Sequence, residues 1–145
     1  MTKTVKHLLA EKGSFVFSLP PDASVFQAIE MMAERSVGAL LVMDGQTLRG
    51  IISERDYARK VILKGKQSRQ TPVRDIMTTT VTCVVPERTV EECMALMTDK
   101  RIRHLPVVED SRVVGIISIG DVVRAVISDK EFVIQQLEKY ITSGG

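Results

Sequence analysis

The chain repeats itself. At an offset of 65, the stretch from Leu19 to Ile62 lies over Val84 to Ile127 without a gap. Pro21 meets Pro86, Val25 meets Val90, Met32 meets Met97 and Leu40 meets Leu105. Both copies arrive at the same run, "GIISERD" from Gly50 and "GIISIGD" from Gly115, so Ser53 and Asp56 fall on Ser118 and Asp121. The lead-ins match too, "TVKHLL" from Thr4 with "PVRDIM" from Pro72, but at an offset of 68, which leaves three extra residues around Gly13 to Phe15. A period of this length means that one supersecondary unit is used twice and that neither copy buries its apolar face alone.

Each copy reads alike. A short lead-in turn precedes a brief strand, Phe15 to Leu19 or Val81 to Val85. A Pro-containing turn with Asp22 and Ser24, or Glu87 and Thr89, then starts a helix whose apolar positions fall at helical spacing: Val25, Ala28, Ile29 and Met32, or Val90, Cys93, Met94 and Met97. The runs "ALLVMD" and "LPVVED" read as buried strands that end in acidic turns and fold back through Leu48–Ile52 or Val113–Ile117. A helix opening at Ser-x-x-Asp closes the unit. The order β-α-β-β-α, used twice, predicts an α+β fold of two stacked units. The divisions are 1–63 for the first repeat, 64–72 for the linker, 73–128 for the second repeat and 129–145 for a C-terminal helix and tail. In that tail Val133, Leu137, Tyr140 and Ile141 share one helical face.

Composition narrows the function. A net charge of +2 over 145 residues gives no global field toward nucleic acid or membrane. No apolar run approaches the ~18 residues of a membrane span, and Met1 to Lys12 lacks a signal-peptide pattern. Cys83 and Cys93 have no metal-ligand spacing and fit a reducing, cytoplasmic setting. There is no GxGxxG, P-loop or HExxH, and no Ser/His/Asp order, so neither an enzyme nor a Rossmann-type dinucleotide site is expected. Met31, Met32, Met94 and Met97 sit at core spacing. Lys64, Lys66 and Arg69 of the linker read as solvated charge.

Ser-x-x-Asp has two readings. A serine N-cap with an acid three residues on is a capping box, worth about 1 kcal/mol. The box prefers Glu or Gln, however, and here it is the shorter Asp in both copies. Each serine also follows an apolar strand, Ile51-Ile52 or Ile116-Ile117, at the edge where ligands collect in layered folds. Helix N–H groups favour phosphate, whereas a carboxylate beside them suits the hydroxyls of a ribose. Cap and nucleotide seat are compatible.

With its paired units and the runs "GALLVMDGQTLRGIISERD" and "RHLPVVEDSRVVGIISIGD", the chain resembles a tandem pair of CBS domains, from about Val5 to Ile127. The resemblance implies two stacked repeats with small three-stranded sheets, a central cleft, and a regulatory or sensor role without catalysis. It further implies two quasi-symmetric sites for an adenosine nucleotide (AMP, ADP, ATP or NAD(H)), with S-adenosylmethionine as an alternative. Asp56 and Asp121 would hold ribose hydroxyls, with Ser53 and Ser118 beside them. Ligand at Asp121 would lie against Gly38, Ala39 and the strand near Phe17. Ligand at Asp56 would approach Thr79 to Thr82 and the pair Arg103 and His104. A homodimer through the helices near Val25–Met32 and Val90–Met97, with the C-terminal helix as a further contact, is the expected assembly. Output then passes through a partner protein or a change of oligomer. The competing readings are a structural interaction module with empty clefts and a nucleic-acid binder using the linker with Arg101 and Arg103.

Overall fold

A computed structural model describes residues 3–142, without the side chains of 133 and 140–142. Helix α1 (Val5–Lys12) leads into strand β1 (Ser18–Leu19), helix α2 (Val25–Arg35), and strands β2 (Ala39–Asp44) and β3 (Thr47–Ser53). Helix α3 (Glu54–Tyr57) runs on as a wider π turn over Ala58–Ile62. A 3-10 turn at Val73–Asp75 opens the second copy, followed by helix α4 (Val90–Lys100), strands β4 (His104–Glu109) and β5 (Arg112–Ser118), and helix α5 (Ile119–Thr142). The fold is α+β, as the repeat requires.

The copies agree in detail. β2 and β4 each pair antiparallel with the strand that follows them, and each ladder slips once, between Val42 and Met43 and between Val107 and Val108. Ser24 accepts the Gln27 N–H at 3.1 Å, and Thr89 accepts the Glu92 N–H at 3.1 Å, so both long helices begin in capping boxes. Ser36 and Arg101 end them in the left-handed region, with φ 56° and 54°.

Three expectations are corrected. Only Ser18–Leu19 forms the first strand, pairing parallel with β2 in a three-stranded sheet. Val81 to Val85 contributes just one bridge, Val84 to Val107, so the second sheet has two strands instead of three. Finally, α5 is one helix through the expected break near Asp129, because Ile127-Ser128-Asp129 contains no Gly or Pro to end it. Val133, Tyr140 and Ile141 of the expected tail face have side chains outside the described residues.

The lead-ins are exchanged. Val5, Leu8 and Leu9 of α1 are buried in the core of the second copy, with Val90, Cys93, Met97, Leu105 and Ile117. Val73 and Ile76 are buried in the core of the first, with Val25, Met32, Leu40 and Ile52. Backbone bonds follow the same exchange: the Val5 N–H donates to the Arg88 carbonyl at 2.8 Å, and the Val73 N–H to the Ala23 carbonyl at 2.8 Å. The repeated glycines explain how each lead-in comes so close. A Cβ on Gly50 would stand 2.7 Å from Met77 Sδ, and one on Gly115 2.7 Å from a Leu9 methyl. Met77 and Leu9 correspond at the lead-in offset. Each copy therefore completes the core of the other.

Candidate functional site

Both Ser-x-x-Asp runs cap their helices. The Ser53 N–H donates to Asp56 Oδ2 at 3.0 Å while the Asp56 N–H donates to Ser53 Oγ at 3.2 Å. The Ser118 N–H donates to Asp121 Oδ2 at 2.8 Å and the Asp121 N–H to Ser118 Oγ at 3.2 Å. The shorter Asp thus closes the box as Gln27 and Glu92 do elsewhere, and its length is no argument against a cap. Strand ends and helix starts are also tied across each copy: the Glu54 N–H reaches the Gly38 carbonyl at 3.1 Å, and the Ile119 N–H the Arg103 carbonyl at 2.8 Å.

Asp56 opens on the larger of the two clefts that reach a Ser-x-x-Asp serine. This space, about 820 Å³, is lined by Ser53, Asp56, Thr82, Arg103 and His104 as expected, with Gly38 at its edge. Thr79 is not in the lining. Thr78 and Thr80 are, followed by Val81 and Thr82. The lining also holds Arg55, Arg59, Lys60 and Arg101, so five cations with Arg103 face two carboxylates, Glu54 and Asp56. Asp56 Oδ1 takes Lys60 Nζ at 3.1 Å, an i,i+4 pair whose lysine side chain is 44% exposed. Thr78 Oγ1 lies at 3.5 Å from the same oxygen.

Asp121 is placed differently. The second cleft, about 270 Å³, gathers Phe15, Phe17, Gly38, Ala39, His104 and Ser118, but Asp121 is not in its lining. Lys12 intervenes. Its Nζ donates to Asp121 Oδ2 at 2.7 Å and to the Ile116 carbonyl at 2.9 Å. Arg124 Nη2 donates to Asp121 Oδ1 at 2.9 Å. Burial pushes the Asp121 carboxyl up, but the hydrogen bonds from Lys12 and Ser118 and the charge of Lys12 outweigh it, leaving the group below the ordinary carboxylate value.

Gly38 and His104 line both clefts and form the wall between them. Burial first, then the nearby charges of Lys12 and Arg103, hold His104 below the ordinary imidazole value against a weaker pull from Asp121.

Sequence reasoning missed Lys12, Lys60 and Arg124. The last two were legible, since they follow the aspartates by one helical turn. Lys12 lies 109 residues before Asp121, and only the offset of the lead-ins could have pointed to it.

Two repeats, each completed by the lead-in of the other and with clefts at their helix N-termini, define a paired-domain module. The family model for the CBS domain matches residues 13–63 and 73–128, and the chain belongs to the CBS domain family as a domain pair. It is 47% identical over 137 residues to the CBS domain-containing protein CBSX3, mitochondrial, of Arabidopsis thaliana, spanning 91% of this chain and 66% of that relative. The crystal structure of CBS domain NE2398 superposes with a TM-score of 0.84 at 50% identity, covering 88% of this chain and 99% of that one. The CBS domain pair of MJ0100, in complex with 5-methylthioadenosine and S-adenosyl-L-methionine, superposes with a TM-score of 0.79 at 25% identity, covering 89% and 99%.

Proposed function

We propose that the chain is a regulatory module that binds an adenosine nucleotide in the larger cleft and signals through its assembly or a partner. The observation that carries this reading is the company of Asp56. A half-buried, capped carboxylate stands in a roomy cleft beside three threonines and five cations. The carboxylate suits the ribose hydroxyls and the arginines suit phosphate. The adenosine ligands of MJ0100 support the adenosine part. The cation excess supports AMP, ADP, ATP or NAD(H) over S-adenosylmethionine, whose sulfonium it would repel. No catalytic role is assigned to any residue.

Assembly is proposed as a homodimer. Val25, Ala28 and Met32, like Val90, Cys93 and Met97, point into their own cores, whereas Val123, Ile127, Ile134 and Leu137 form an exposed stripe along α5. That stripe supports α5 as the main contact. Among the described residues no helix is long and apolar enough to cross a membrane. The free thiols Cys83 and Cys93 support a reducing compartment such as the cytoplasm.

Thermal melting with AMP, ADP, ATP, NAD(H) and S-adenosylmethionine tests the reading, with light scattering on the same samples. A phosphorylated ligand at 100 times its Kd adds about 2.7 kcal/mol and raises the melting temperature. The expected result is a shift with the phosphorylated ligands and a dimeric mass. No shift with any of the five overturns the nucleotide reading, and a monomeric mass overturns the dimer.

A further inference from the structure

We propose that His104 makes nucleotide binding respond to acidity: its imidazole takes up a proton when the phosphates of the ligand enter the larger cleft, so the module binds a phosphorylated nucleotide more tightly as pH falls. The inference rests on the nucleotide reading of that cleft and adds a second signal to it. The position of the ring and the charges around it carry the argument.

His104 opens β4 and stands in the wall that both clefts share, with Arg103 and Gly38 beside it in the lining of the larger one. Gly38 leaves room for the ring, since a Cβ there would lie 3.7 Å from His104 Nε2 and Cε1. Among the described residues neither ring nitrogen is hydrogen-bonded within the protein, yet no buried side-chain nitrogen lacks a partner. The ring nitrogens therefore reach the open space of the clefts, where a proton and a phosphate oxygen can meet them.

The surroundings oppose a charge on the unliganded ring. Burial lowers the imidazole value most, Lys12 of α1 and Arg103 add to that, and Asp121 of α5 pulls the other way. From α3, Glu54 approaches the same spot, its Oε1 3.1 Å from the place of a Gly38 Cβ. Further out, Arg55, Asp56, Arg59, Lys60 and Arg101 line the larger cleft. Cations outnumber carboxylates around the ring.

A nucleotide reverses that balance. The phosphates of ADP counter the cations across the cleft, and negative charge nearby favours the protonated imidazole. The liganded protein then holds more protons than the free one between the two titrations of His104. By linkage, affinity rises as pH falls through that interval and levels off below it. Adenosine carries no phosphate and leaves the balance as it was.

The test is a proton NMR titration of the ring from pH ~8 to ~5.5, a span around the ordinary histidine value, with ADP, with adenosine and with neither. His7→Gln leaves His104 as the only histidine, and a Gln at that position serves the capping box of α1 as Gln27 serves that of α2. The expected result is a His104 midpoint moved to higher pH by ADP and left in place by adenosine. Calorimetry then compares wild type with His104→Gln, which cancels the titration of the terminal phosphate of ADP itself. The ratio of their ADP affinities should grow on acidification, by up to roughly tenfold for each unit that ADP moves the midpoint. With ADP bound, a midpoint that stays or falls overturns the role of His104 and leaves the seat at Asp56, as does an equal rise with adenosine. No binding of ADP or adenosine to the wild type overturns the nucleotide reading and the proposal with it.

Discussion

Asp56 and Asp121 are related by the repeat, close their capping boxes in the same way, and have side chains exposed to nearly the same degree, 13% and 11%. Their surroundings differ. Asp56 faces a cleft of about 820 Å³ that is rich in arginine and threonine, and its partner Lys60 comes from the same helical run and also donates to the Ile76 carbonyl at 3.0 Å. Asp121 is covered by a lysine delivered by α1 from the far end of the chain. The shorter second lead-in lies against β3 as backbone, whereas the longer first one reaches the corresponding edge of β5 through a side chain.

The largest expected effect probes the exchange of lead-ins. Leu8 is 5% exposed in the second core, so Leu8→Ala should cost about 2–5 kcal/mol in denaturant melts. Hydrogen exchange should then loosen β4 and β5 more than β2 and β3. Faster exchange confined to β2 and β3 would break the account of which copy α1 completes.

A smaller effect lies in the pH dependence contributed by Asp121 and His104. Both have folded values below their ordinary ones. In each case the unfolded chain binds protons more readily, so stability rises with pH across the window between the two values. On acidification, the His104 contribution begins to fall away near pH ~6.5 and is lost through its lower folded value. The Asp121 contribution begins to fall away near pH ~3.9 and is lost below that. His104→Gln should flatten the upper part of the stability curve and Asp121→Asn the lower part. An unchanged curve in Asp121→Asn would mean that the Lys12 contact contributes nothing in solution.

Much of this was legible in the sequence because it is local or repeated. The capping boxes, the hairpins and the core faces of α2 and α4 follow from spacing, and the ungapped register carries each assignment from one copy to the other. What the sequence concealed is non-local. Which core Val5 and Leu8 enter depends on how the linker returns the chain, and no periodicity records that. Val81 to Val85 has the apolar character of a strand, yet only Val84 finds a partner. Thr79 was placed at the site by the resemblance, whereas Thr78 and Thr80 line the cleft instead. The ligand-facing roles of Ser53 and Asp56 remain part of the proposal, although their geometry as a cap is plain.

The most direct test of the central claim, that adenosine nucleotide is held at Asp56 and not at Asp121, is a titration of ADP into the wild type, Asp56→Asn and Asp121→Asn. Loss of a charge-assisted acceptor for the ribose weakens binding by about 1.5–3 kcal/mol, roughly ten- to a hundredfold. The account predicts that loss in Asp56→Asn and an ADP affinity close to the wild type in Asp121→Asn. Equal weakening in both variants, or wild-type affinity in Asp56→Asn, would contradict it.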